Sequence, residues 1–126
     1  MSFFEKLAPY LGASGTALVG LDEGSTGPDD FAGEILIYAS EVIAAIRDGA
    51  ELPPLPDVLR TGATGRISGE IRAILVVAGS LLMIAQFQVS GAAAQALRYI
   101  NQVIRMLLSG QPVPAANVVA GVPRFA

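Results

Sequence analysis

Between Arg72 and Arg98 the chain runs 25 residues, AILVVAGSLLMIAQFQVSGAAAQAL, without a charge. Its first half, Ala73 to Ala85, is apolar on every side apart from Ser80. A helix of that kind has no face for water and calls for burial all round, in protein or in lipid. Ile71 to Val89 supplies 19 residues, against the roughly 20 that a bilayer crossing requires. In that setting Arg72, Gln86 and Gln88 sit at the two interfaces, with Arg72 snorkelling. The second half is more polar, through Gln86, Gln88, Ser90 and Gln95, and Gly91 offers a break. Three surroundings are open: a bilayer, an oligomer, or the core of a single chain. The last is hardest to supply, because 126 residues leave little protein to enclose such a helix. The residues expected to be buried or inserted are Ile74, Leu75, Val76, Val77, Leu81, Leu82 and Ile84.

Downstream the pattern turns amphipathic. Ser90 to Ala96 is a patch of small residues, which let helix backbones approach closely. Leu97, Ile100, Val103, Ile104, Leu107 and Leu108 then form an apolar face. Gln95, Arg98, Gln102 and Arg105 recur at helical spacing as a polar stripe, expected to meet a partner or lipid headgroups. Gly110 ends the helix, and Pro112 and Pro114 prevent its continuation. The element expected over about 67–109 is one long helix or a broken pair. Unbroken, it spans about 64 Å at ~1.5 Å per residue, longer than a globule of this size.

Upstream, a helix is expected from about residue 30 to 48. Asp29 or Asp30 serves as N-cap, and Phe31, Ile35, Tyr38, Val42 and Ile46 form its stripe. Glu34, Glu41 and Asp48 lie opposite, and Gly49 supplies the residue just past the end. Glu34 and Glu41 are about 10 Å apart along the axis, too far to chelate one ion alone. A proline-rich linker, 50–65, follows. Its Pro53, Pro54 and Pro56 make a P-x-x-P match, a candidate docking motif for aromatic grooves.

Residues 1–29 read as a short N-terminal element and a Gly-rich linker. Phe3, Phe4, Leu7 and Leu11 share a helical face, Pro9 limits its length, and glycines from Gly12 onward suggest loop. Those glycines match neither phosphate-loop pattern. A cleaved signal peptide is not expected: Glu5 cancels Lys6, glycine and proline interrupt the apolar run, and no small-x-small site follows. Residues 111–126 read as an extended tail. Its Val118, Val119, Val122 and Phe125 suit an arm laid over a neighbouring subunit.

The expected fold class is therefore all-α, with a helical core over 30–110. Composition narrows the function. Histidine and cysteine are absent, which excludes zinc-finger, haem, iron–sulfur and Ser-His-Asp chemistry. No carboxylates, tyrosines or lysine form a recognised catalytic constellation, so neither enzyme activity nor a cofactor or metal is expected. The net charge of −3 argues against nucleic acid. Charge is asymmetric: residues 1–50 carry eight acids against two bases, and residues 90–126 carry only Arg98, Arg105 and Arg124. That suits head-to-tail contact between copies, or pairing within the chain. The expectation is a non-enzymatic structural or assembly subunit, for example of a virion or a bacterial envelope complex. Its partners are copies of itself, larger proteins or a bilayer, with no small-molecule substrate evident. The alternatives are a membrane-active pore or lesion former and an adaptor using the proline segment.

Overall fold

The computed structural model describes residues 3–21, 28–56, 59 and 65–113. Four helices occupy them: α1 (Phe3–Leu21), α2 (Pro28–Asp48), α3 (Gly69–Gln86) and α4 (Gly91–Ser109). The all-α expectation holds. The acidic stretch 22–27, most of 57–64 and the tail beyond 113 lie outside the described residues.

α1 corrects the reading of the N-terminus. It is neither short nor a loop after Gly12, but one helix of 19 residues with Pro9 inside it. Proline removes one backbone donor and costs about 3 kcal/mol in a helix interior. Packing offsets that cost: Leu7, Ala8 and Leu11 are buried against the rest of the core. Phe3 and Phe4, half-buried, meet edge to face with centroids 5.7 Å apart. The glycines are a packing surface. A Cβ on Gly15 would lie 2.7 Å from the Gly33 carbonyl oxygen and 2.8 Å from the Ile37 backbone nitrogen. Only a residue without a side chain lets α1 lie this close to α2.

α2 is the central helix. Its expected stripe is buried at Phe31, Ile35, Tyr38 and Val42, while Ile46 is half-buried. Burial continues round the helix through Ala32, Leu36, Ala39 and Ile43. α2 packs most extensively against α1, then against α4, and also touches α3. Glu34 is half-buried, and Glu41 and Asp48 are exposed. The helix begins two residues before the expected start, with Pro28 in its first turn, where a missing N–H is not missed. It closes as expected on Gly49, at φ 67°. There the Gly49 N–H donates to Ile46 O and the Ala50 N–H to Ala45 O, the paired bonds of a Schellman cap.

The expected 67–109 element is two helices. α3 starts at Ser68, whose Oγ accepts from the Ile71 N–H at 3.4 Å. Residues 87–90 separate it from α4, which opens on Gly91 at φ 65°. Gln86 lies beside Asn101, and Gly79 beside Ile104, so α4 runs antiparallel to α3. α4 buries the face its spacing predicts: Leu97, Ile100, Val103, Ile104 and Leu107, with Leu108 half-buried. Gly110, at φ 74°, closes it with a second Schellman cap.

The proline segment is tied to this core. The Tyr38 hydroxyl donates to the Pro53 carbonyl at 3.3 Å, and Leu55 and Leu59 are buried. Burial raises the Tyr38 hydroxyl well above the ordinary tyrosine range, helped by the nearby Tyr99 and Glu41 charges. Burial alone pushes Tyr99 up from 10.0 to about 12. A raised folded-state value favours the neutral phenol in the fold. Its contribution is complete below pH 10 and is lost as pH climbs through 10 to about 12. Urea midpoints are therefore expected to fall steeply over that interval. Phenylalanine at position 99 should flatten the fall, and an identical profile for Tyr99→Phe would count against it.

Candidate functional site

Seven residues were expected to be buried or inserted, and α3 divides them. Leu75 and Leu82 are fully buried, with Ala78 and Ala85, on a helix that packs mainly against α4 and also touches α1 and α2. Ile74 and Leu81 are half-buried. Val76, Val77 and Ile84 keep 50%, 49% and 50% of their surface exposed. Within one chain, burial on every side is therefore not reached: a single face of α3 is covered. The uncovered face carries Ala73, Val76, Val77, Ser80 and Ile84, and runs on to Phe87, which is 78% exposed.

That face presents almost nothing to water. Its one polar side chain, Ser80, donates its hydroxyl to the Val76 carbonyl at 2.9 Å. The donor is satisfied inside the helix, so covering it strands no hydrogen. Charge returns only at the N-terminal end, with Glu70 and Arg72. α3 is long and apolar enough to cross a membrane by length and composition. Its 18 residues extend about 27 Å at ~1.5 Å each.

α4 shows the polar stripe beside it. Gln95, Arg98 and Arg105 are exposed and Gln102 is half-buried. Neither arginine forms an ion pair among the described residues. Arg47, by contrast, pairs with its neighbour Asp48 at 2.8 Å. The described part of the acidic N-terminal half thus forms no ion pair with Arg98 or Arg105.

Between α3 and α4 lies an open groove of about 460 Å³. Val76, Gly79 and Met83 form one wall, and Ile104 and Leu108 the other, with Ser80, Asn101 and Arg105 as its polar members. Asn101 is only 4% exposed. Its Nδ2 donates to Gln86 Oε1 at 3.1 Å. Sequence reasoning passed over Asn101, although the signal was present. It sits four residues after Leu97 and three before Ile104, so it occupies an apolar register. Phe87 was also missed, because it fell within the stretch read as the helix's polar end.

The proline motif is less free than its sequence suggests. Pro54 is exposed, but Pro53 and Pro56 are half-buried and the Pro53 carbonyl is engaged by Tyr38. Among the described residues, no three acidic, histidine or cysteine side chains gather to hold a metal ion. No family model, curated protein or solved structure matches this chain.

Proposed function

We propose that this chain is a non-enzymatic assembly subunit that docks through the outer face of α3, first of all onto copies of itself. The observation that carries the reading is the uncovered row Val76, Val77, Ile84 and Phe87 on a helix with no charge from Ala73 to its end. Contiguous exposed apolar surface of this kind marks protein or membrane contact. A shell or envelope complex built of many small chains, such as a virion, is the assembly this composition suits.

A second reading places α3 in a bilayer, as a membrane-active protein would, and rests on its length and lack of charge. Against it stands the packing of the inner face. Crossing requires α3 either to abandon the contacts of Leu75 and Leu82 or to bring α4 along. The latter draws Arg98 and Arg105 toward hydrocarbon, at roughly 2.5–3.5 kcal/mol each near the centre. Docking on protein carries neither cost. Use of the proline segment as an adaptor motif would first have to free Pro53 from Tyr38.

Fractionation of the expressed chain separates these readings. Assembly predicts a protein that is soluble without detergent and sediments as a large species. Retention in membranes through high-salt and carbonate washes would establish insertion instead, and leakage of liposomes by the purified chain alone would follow from it.

A further inference from the structure

The groove between α3 and α4 has the features of a ligand site rather than of helix packing alone. Its volume of about 460 Å³ lies within the roughly 300–1,000 Å³ of small-molecule pockets. Its walls are aliphatic and sulfur-bearing, from Val76, Met83, Ile104 and Leu108. Its polar groups are few: Ser80 on α3, and Asn101 and Arg105 on α4. Asn101 and Arg105 are four apart on α4, hence neighbours on one helix face.

Both have capacity to spare. Asn101 commits one amide N–H to Gln86. Its other amide N–H and its carbonyl have no partner among the described residues, although the residue is only 4% exposed. A buried amide left half-used is destabilising, and native proteins rarely carry one without a reason. Arg105 is exposed at the rim, with no ion pair among the described residues, and its guanidinium fork matches a carboxylate. Ser80 cannot contribute a donor, because its hydrogen is spent on Val76. The available donors are therefore one guanidinium and one amide N–H, beside a slot for one apolar chain.

From this arrangement we propose that the groove binds a single-chain fatty carboxylate. Arg105 and the spare Asn101 N–H hold the carboxylate, and the hydrocarbon lies between α3 and α4 along Val76, Gly79 and Leu108. The ligand is a free fatty acid. Val76 and Ser80 belong to both the outer face and the groove, whereas Val77 and Ile84 do not line it, so substitutions at those two leave the groove's lining intact.

The probe is dodecanoate below its micelle-forming concentration, titrated into the full chain. Binding is followed by calorimetry and by the NMR shift of the Asn101 side-chain amide. Saturable binding with a shift at Asn101 is expected. Dodecyltrimethylammonium, with the same chain and the opposite charge, should bind at least tenfold more weakly. Arg105→Gln should weaken dodecanoate about threefold to fivefold, as for an exposed charge pair. Ser80→Phe, at an exposed position, should fill the groove and lower affinity more than tenfold with helix content unchanged. No saturable binding, equal binding of the cationic amphiphile, or undiminished binding by Ser80→Phe would each overturn the proposal. Binding to anionic phospholipid vesicles but not to dodecanoate would transfer the groove to a membrane lipid and overturn it too. So would loss of self-association in Ser80→Phe without any dodecanoate binding, which would make a second copy the occupant. The Val77→Glu/Ile84→Glu chain retains the site, so dodecanoate binding there separates this proposal from the assembly reading.

Discussion

Leu82→Arg is expected to unfold the single chain, not merely to block its assembly. Leu82 is fully buried on the inner face of α3, in a row with Leu75, Ala78 and Ala85. Removing a buried leucine forfeits about 1.5–3 kcal/mol. Leaving an unpaired charge in its place adds several kcal/mol more. The total is comparable with the roughly 5–15 kcal/mol that holds a domain together. Thermal melts followed by circular dichroism check this. The control is Val77→Arg, on the same helix and half-exposed, which, with both variants and the natural chain melted at concentrations where the chain is monomeric, should shift stability by no more than about 0.5 kcal/mol. Equal melting temperatures for the two variants would mean that α3 is turned the other way. Sequence alone places Leu82 among the residues buried or inserted, which would make its substitution a probe of assembly or insertion. The fold removes that use, and moves the test of association to Val77 and Ile84.

Gly15→Val should be nearly as severe, for a different reason. A Cβ at this position meets the Gly33 carbonyl oxygen and Ile37 Cγ1, each at 2.7 Å. One of these is backbone, so relief requires α1 to move away from α2. Overpacking of this kind costs about 1–3 kcal/mol and occasionally more. α1 and α2 share the most extensive helix–helix contact in the molecule, so the upper end is expected. For a chain of this length that lowers the melting temperature by about 10 °C. Gly69→Ala supplies the comparison. Nothing lies within 4 Å of a Cβ there, so that variant should melt at the same temperature or higher. An unchanged melt for Gly15→Val would remove the close α1–α2 approach from the account.

These two positions show what was legible in the residues and what was not. α2 and α4 were readable because stripe and stop signal agree: Phe31 to Val42 with Gly49, and Leu97 to Leu107 with Gly110. The division of 67–109 was also foreshadowed by Gly91. α1 was not readable. Pro9, Gly12 and Gly15 are breakers by local propensity, and only the shape of α2 turns Gly15 into a contact surface. Propensity is weak where tertiary packing decides. The identity of the central helix was hidden for a related reason. Absence of charge in α3 called for burial all round, by a bilayer, an oligomer or the chain's own core, yet within the chain α2 is the enclosed helix. Its Glu34 and Glu41 occupy one narrow outward strip, and the small Ala32 and Ala39 let neighbours close over much of the rest. Lack of charge marks a surface that avoids water. It does not say whether the cover comes from the same chain.

Of the candidate site, the apolar character of α3 and the arginine stripe of α4 could be read directly. Which side of α3 stays uncovered could not. Val76 and Leu75 are adjacent and chemically alike, and only the direction of α4 assigns one to solvent and the other to the core.

The central claim is that the outer face of α3 joins copies of this chain. Sedimentation velocity on the natural chain and on Val77→Glu/Ile84→Glu, side by side, tests it most directly. The natural chain should sediment as an oligomer. The double variant should sediment as a monomer with the same helix content, because both side chains project away from the core. An oligomer of unchanged size in the double variant, or a natural chain that stays monomeric at high concentration, would contradict the claim.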